Sequence, residues 1–333
     1  MRDETPSLSE ARRISWERKG RGITFFLPGM FVLDGVPGRY PALSLTGGRC
    51  ELMCDHCRGS LLAPMIAADS PEALVARCRE LEREGHPGVL VSGGCDADGC
   101  LPWERFLPAI RRVKATTRLH VSVHAGFIHR RDALGLKAAG VDQALVDLVG
   151  DDDTLRRVCH VPFGVERVAA ALEALHAAGI PVVPHIVCGL DGGRMAGEER
   201  ALDLVARFRL EQLVVLSFMG LPGTPLHRAA PPAPEAVAGL IATARVRLPD
   251  LTISLGCARP RGASRLDVLA VDAGVNRMAL PSEEAVARAR HHGLAIRYQR
   301  SCCSVPERWA GDSWITVPTV AAGKPLPQGS APR

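Results

Sequence analysis

One unit recurs along the chain. A short β-branched run is followed by a polar turn, then by an amphipathic stretch that ends in glycine. The runs are ALSLTGG (42–48), GVLVSGG (88–94), LHVSVHAG (119–126), QALVDLVG (143–150), VVPHIVCGL (182–190), LVVLSFMG (213–220), LTISLGC (251–257) and NRMALP (276–281). Most are continuous apolar stretches, as parallel strands covered on both faces require. Between them, Gly85, Gly140, Gly179, Gly274 and Gly293 stand where helices should stop. Ser70-Pro71 and Ser282 read as helix starts. In 164–179, Val165, Val168, Leu172 and Leu175 share one helical face. Eight such strands predict an α/β fold, a complete or nearly complete (β/α)8 TIM-type barrel. An open doubly wound sheet is the runner-up.

The barrel is expected over residues 41–303. Residues 1–40 are expected to form an N-terminal extension, a helix and an irregular segment packed on the barrel. Residues 304–333 hold Pro306, Pro318, Pro325, Pro327 and Pro332 and are expected to be a disordered tail. Its tryptophans, Trp309 and Trp314, are candidates for docking.

Composition narrows the function classes. With 333 residues, 47% of them apolar, the chain is globular, burying roughly three quarters of its unfolded surface. The net charge of +5 is spread along the chain, so no nucleic-acid partner is expected. No apolar run approaches the roughly 18 residues of a membrane span. The amino terminus, MRDETPSLSEARR, lacks the apolar core of a secretory signal, so a cytoplasmic location is expected. In a reducing cytosol, 11 cysteines read as ligands or reactive thiols rather than disulfides.

Cys50, Cys54 and Cys57 form a C-x3-C-x2-C pattern in GRCELMCDHC, just after the first run. In a β/α barrel that loop lies on the active-site face. Three thiolates on one short loop can hold three irons of a [4Fe–4S] cluster, leaving the fourth open to a chelating small molecule. Structural zinc is the alternative, but it favours paired C-x2-C motifs and a fourth ligand. His56 sits between two of the cysteines.

This loop after the first strand resembles that of the radical S-adenosylmethionine (SAM) superfamily. The resemblance implies that SAM chelates the open iron. One electron then cleaves it to methionine and a 5′-deoxyadenosyl radical, which the protein orients and shields. His56 holds the usually aromatic position beside the adenine. Ser92, Gly93 and Gly94 match a GGE-like stretch that meets the SAM amino group, with Cys95 replacing the glutamate. HIVCGLDGG (185–193), including His185 and Gly189, and LPGTPL (221–226) resemble adenine-side loops. Ser122 and His124, alternating on the third strand, Asp147 on the fourth and His185 on the fifth are candidates for SAM ribose or substrate contacts, a satisfied buried network being the alternative. Asp151, Asp152 and Asp153 read as a helix start, and 191–197 as a loop able to cover the mouth.

Among the other thiols, Cys78 reads as core, and Cys159 lies in a turn with no evident role. Cys95, Cys188 and Cys257 end strands and so could reach the mouth, and Cys100 follows Cys95 at C-x4-C spacing. A second, auxiliary [4Fe–4S] cluster would account for the excess. Its best ligands are Cys257, Cys302 and Cys303, with Cys95 as a possible fourth. Barrel-interior thiols and a reactive tail pair are the alternative, and one of Cys302 and Cys303 could instead be a persulfide carrier or a redox thiol. Arg259 and Arg261 could hydrogen-bond a cluster or an anion.

Over residues 25–303 the chain is similar to the biotin-synthase-like group that includes two-component, archaeal-type lipoyl synthases. The segments that carry this are SLTGGRCELMCDHCRG, VLVSGGCDADGCLPWERF, SVHAG, GVDQALVDLVG, GIPVVPHIVCGLDGG, LGCARPRG, ALPSEEA and the terminal CCS. That similarity implies sulfur insertion into an octanoyl chain on a lipoyl-carrier protein. It further implies a second radical SAM subunit and a low-potential donor, flavodoxin or ferredoxin. The competing readings are methylation or rearrangement without sulfur donation, and a non-catalytic iron–sulfur or zinc-binding partner subunit.

Overall fold

The computed structural model describes residues 5–309, apart from residues 34 and 263 and the side chain of residue 308. Helix α1 (Leu8–Lys19) opens on Ser7, whose hydroxyl accepts from the Glu10 amide, and leads into β1 (Gly22–Phe26). A short antiparallel ribbon, β2 (Val32–Leu33) with β3 (Val36–Pro37), precedes β4 (Ala42–Ser44) and β5 (Ile66–Ala67). There follow α2 (Pro71–Arg83), β6 (Gly88–Ser92), α3 (Trp103–Thr116), β7 (His120–His124), α4 (Arg130–Ala139) and β8 (Gln143–Asp147). Next come α5 (Asp152–Arg157), α6 (Val165–Ala177), β9 (Val182–Cys188), α7 (Glu198–Ala206), β10 (Gln212–Ser217) and α8 (Pro234–Arg247). The chain closes with β11 (Thr252–Leu255), α9 (Arg265–Asp272), β12 (Arg277–Ala279), α10 (Glu283–His291) and β13 (Ala295–Gln299).

All eight expected strands are present, and the punctuation is as read. Ser70, Asp151 and Ser282 cap α2, α5 and α10 through their side chains. Each of the five stop glycines has positive φ, where only glycine is unstrained. One parallel sheet orders its strands β13-β1-β12-β11-β10-β9-β8-β7-β6-β4-β5. Among the described residues no ladder joins β13 to β5, so the TIM-type barrel is a curled, open one.

Two expectations at the ends are corrected. Residues 22–26 are not an irregular covering segment but a strand within the sheet, paired on both sides by β12 and β13. GITFF carries both faces of that strand, yet too few residues surround it to separate it from a loop by period. At the other end the ordered chain runs on past 303, with Ser304 and Val305 fully buried. Trp309 packs on His120 at 5.1 Å between ring centroids. Trp314 and the rest of the expected tail lie outside the described residues.

Strand alternation divides the side chains between two layers. Val89, Val121, Val123, Ile186 and Leu213 face the helices. Phe26, Leu145, Val183, Val214, Ala279 and Cys303 line the concave side. That concave side also carries the polar residues His120, Ser122, His124, Gln143, Asp147, His185, Gln212 and Arg277. Residues 299–309 cross it as a strap. Gln143 Nε2 donates to the Ser304 carbonyl at 3.0 Å and Gln212 Nε2 to the Cys303 carbonyl at 2.7 Å. Arg277 Nη1 donates to the carbonyls of Cys303 (3.1 Å) and Val305 (2.9 Å). These donors begin β8, β10 and β12, so the strap fills the amino-terminal end of the barrel. Catalytic residues on a β/α barrel gather at the opposite end.

Candidate active site

The cysteine loop is a tight, strained turn at the carboxyl end of β4. Met53 and Arg58 both have positive φ, 43° and 47°, a conformation costly for residues with a Cβ. That turn brings the ligand atoms of Cys54, His56 and Cys57 within 4.8 Å of one another. Cys50 stands beside Cys54, close enough to oppose its ionisation.

Neighbouring loops hold the turn. The Asp55 amide donates to the Val158 carbonyl at 2.8 Å, and the Glu51 amide to the Cys95 carbonyl at 2.8 Å. His160, itself at φ 61°, joins Nδ1 to the Leu52 carbonyl (2.9 Å) and Nε2 to Asp55 Oδ1 (3.2 Å). Nothing in the sequence marked His160. Its role needs the α5–α6 connection folded over the cysteine loop.

The β6 terminus is the floor of the site. Gly94 donates its amide to Thr46 Oγ1 at 2.7 Å. A Cβ on Gly94 would lie 2.0 Å from the Arg49 carbonyl oxygen and 2.6 Å from Cys50 Cα. Gly94 therefore lets the cluster loop seat directly on the strand. Ser92 is buried at the same end.

Cys54 and Cys57 are held as acids. The bond from Cys54 Sγ to the Cys159 carbonyl (3.4 Å), with burial, keeps Cys54 protonated. Cys57, hydrogen-bonded to Cys54 and buried, is pushed up to about 12. Thiols become iron ligands only as thiolates, so loading releases protons. The donor set fits an iron–sulfur cluster: convergent thiols on a preformed turn, with the buried His56 Nδ1 lacking a hydrogen-bond partner.

Residues 44–205 match the radical SAM superfamily. The biotin synthase of Geotalea daltonii is 28% identical over 219 residues, 62% of this chain and 64% of that protein. The chain thus spans just under two thirds of that relative's length. The biotin synthase of Pelotomaculum thermopropionicum is 29% identical over 242 residues, 69% of this chain and 72% of that protein.

Residues 44–205 carry a radical SAM domain, and the chain's relatives fall in the biotin-synthase-like group.

Solved structures share its fold. Methylornithine synthase (PylB) superimposes with a TM-score of 0.57 at 17% identity, covering 87% of this chain and 88% of that one. The hydrogenase maturase HydG from Carboxydothermus hydrogenoformans gives 0.58 at 16% identity, covering 88% and 71%.

Other expected positions of this radical SAM chain fall into three groups. The first is structural. Ser122 is not at the mouth: its hydroxyl meets the Tyr40 hydroxyl at 2.9 Å, which also meets His120 Nδ1 at 2.7 Å. Cys188 is turned away from the mouth, buried in the helix-facing layer. Arg259 is not a free anion ligand. Its Nε and Nη2 donate to Asp267 at 2.7 and 3.0 Å, in a fully buried pair. Cys78 is core, as read.

The second group lies at the mouth over β9. Gly189, at φ 74°, donates its amide to the buried Glu198 at 2.7 Å, and Glu198 also accepts from Gly197 at 3.0 Å. Glu198 thereby shapes the 191–197 loop, and Asp191 in that loop pairs with Arg157 at 3.0 Å and with Arg194. Beneath it is a recess lined by Leu148, Thr154, Ile186, Leu190 and Gly197.

The third group is on the concave side. Cys257, Cys302 and Cys303 influence one another electrostatically, as the thiols of one neighbourhood do. A hydrogen bond from Cys303, reinforced by Ser304, pulls Cys302 down to about 6. Burial and then the Cys302 charge push Cys257 up, while the bond to Cys302 holds Cys303 well above the usual thiol range. Arg261 donates to the Cys257 and Leu280 carbonyls, and its burial and the nearby Arg259 push it down to about 9. Cys95 is elsewhere: burial, then Cys50 and Cys54, raise it, so it neighbours the loop thiols. Cys100 donates its thiol to the Phe127 carbonyl at 3.3 Å. His124 and His185 pack at 5.4 Å between ring centroids, with Asp147 3.6 Å from His124. Burial, then the His124 charge, push His185 down to about 4.

Proposed function

We propose that this chain is a radical SAM enzyme that inserts sulfur into an unactivated C–H bond. The observation that carries the first half is the thiol loop seated on Gly94 at the mouth of a parallel barrel. Cys50, Cys54 and Cys57 would hold a [4Fe–4S] cluster, which supplies the electron that cleaves bound SAM. The chain's own work is orientation and shielding. His56 presents its ring beside the loop thiols, the ends of β6 and β9 face the small molecule, and the 191–197 loop restricts water.

The sulfur half is supported by the second thiol neighbourhood. Cys257, Cys302 and Cys303 would hold an auxiliary [4Fe–4S] cluster as sulfur donor, with Arg261 against the Cys257 backbone. Cys95, beside Cys50, is left out of that set. The similarity to proteins named biotin synthase favours the same reaction class, sulfur insertion. Within it we take a lipoyl-synthase-like role: an octanoyl chain on a lipoyl-carrier protein as substrate, a second radical SAM subunit, and a flavodoxin or ferredoxin as electron donor.

The test is anaerobic reconstitution of wild type and a C50A/C54A/C57A variant, with iron and sulfide counted and 5′-deoxyadenosine assayed under strong reductant. About eight irons in wild type and about four in the variant, with SAM cleavage only in wild type, is expected. About four and none leaves radical chemistry without a sulfur donor, which overturns the insertion reading in favour of methylation or rearrangement. Sulfur incorporation into an octanoylated carrier peptide, read by mass spectrometry, tests the substrate.

A further inference from the structure

Three adjacent strands end in potential metal ligands. His124 closes β7, Asp147 closes β8, and His185 stands three residues before the end of β9. The strand register sets Asp147 directly opposite His185. His124 is opposite Leu145, so Asp147 lies two residues further along on the same face. One nitrogen from each histidine and one carboxylate oxygen lie within 4.8 Å of one another.

We propose that His124, Asp147 and His185 form a mononuclear site for a divalent transition metal, of the zinc or ferrous-iron class, at the barrel mouth. Two imidazoles and one carboxylate are a donor set that suits these ions and leaves coordination positions open. The site would therefore take both the ion and an oxygen ligand from a substrate, such as a carbonyl or carboxylate.

Two further observations support it. His185 Nδ1 bonds the Val183 carbonyl at 3.2 Å. That orients the ring and leaves Nε2 as the ligand nitrogen, the usual outer-sphere arrangement for a metal-bound histidine. Ligand atoms around tetrahedral zinc lie roughly 3.4 Å apart, given bonds of about 2.0–2.1 Å. His124 Nδ1 and Asp147 Oδ2 are already 3.6 Å apart. No pair is more than 4.8 Å apart, so the widest must close by at most about 1.4 Å. The site is separate from the cysteine loop, so the proposal does not depend on radical chemistry.

The test uses full-length protein carrying C50A/C54A/C57A together with C257A/C302A/C303A, so that neither thiol group can take the ion, titrated anaerobically with Co(II). Absorption reports the ligands, because thiolates give an intense near-ultraviolet charge-transfer band and histidine and carboxylate do not. We expect one equivalent per chain without that band. D147N and H185Q should each weaken binding by at least about tenfold. Asp147 is half-exposed, so D147N keeps the test decisive if H185Q fails to fold. A thiolate band, or affinity unchanged in D147N, overturns the proposal.

Discussion

Replacing Gly94 by alanine should empty the cluster loop while leaving the barrel folded. The new methyl would sit 2.0 Å from the Arg49 carbonyl oxygen and 2.6 Å from Cys50 Cα and Cβ, whereas real Cβ contacts stay beyond 3.0 Å. The backbone at 49–50 must retreat by about 1 Å. Iron–sulfur bonding tolerates only about 0.2 Å. Overpacking of this kind costs about 1–3 kcal/mol. Borne by the loop, that strain disfavours the seated geometry by roughly 5- to 160-fold, at about 1.36 kcal/mol per decade. Gly48 is the control. It lies in the same loop, and a Cβ there meets nothing within 4 Å. The assay is iron bound per chain after reconstitution, with the EPR signal of the reduced cluster followed as SAM is added. We expect G48A to match wild type, and G94A to lose the SAM-sensitive signal with an unchanged circular dichroism spectrum. A G94A protein that keeps the SAM-sensitive signal at wild-type strength refutes the seating argument.

Other consequences follow from the buried polar groups. D267N leaves the Arg259 guanidinium buried without its counter-charge and also weakens the bond from the Ser282 amide. Breaking a buried pair in this way costs about 3–5 kcal/mol, readable as a lower urea midpoint. R277L removes the donor to the Cys303 and Val305 carbonyls. Stability should fall by about 1–3 kcal/mol, and Cys302 and Cys303 should alkylate faster by mass spectrometry. Unchanged alkylation would mean the strap is held by the two glutamines alone.

The cysteine loop was legible because its chemistry is local: three thiols within eight positions need no tertiary contact to be recognised. The strand–helix repeat was legible for the same reason, since helix caps and glycine stops are fixed by neighbouring residues. The strap could have been glimpsed. Gln143 begins one strand run and Gln212 immediately precedes another, and such residues need partners inside. What they bond to lies 161 and 91 residues away.

The sequence determined the parallel α/β repeat, its punctuation and the thiol loop, because each depends on covalent spacing and short-range geometry. Tertiary structure decided the rest. Inserting β1 between β12 and β13 turned an apparent extension into part of the sheet. Curling that sheet sent alternate polar residues to one concave face, which sorted Cys257, Cys302 and Cys303 from Cys95 and Cys188. It also set His124, Asp147 and His185 together. Those groupings depend on which strands are neighbours and how far each is shifted, and pairing over such distances is fixed only when the whole sheet curls around its core.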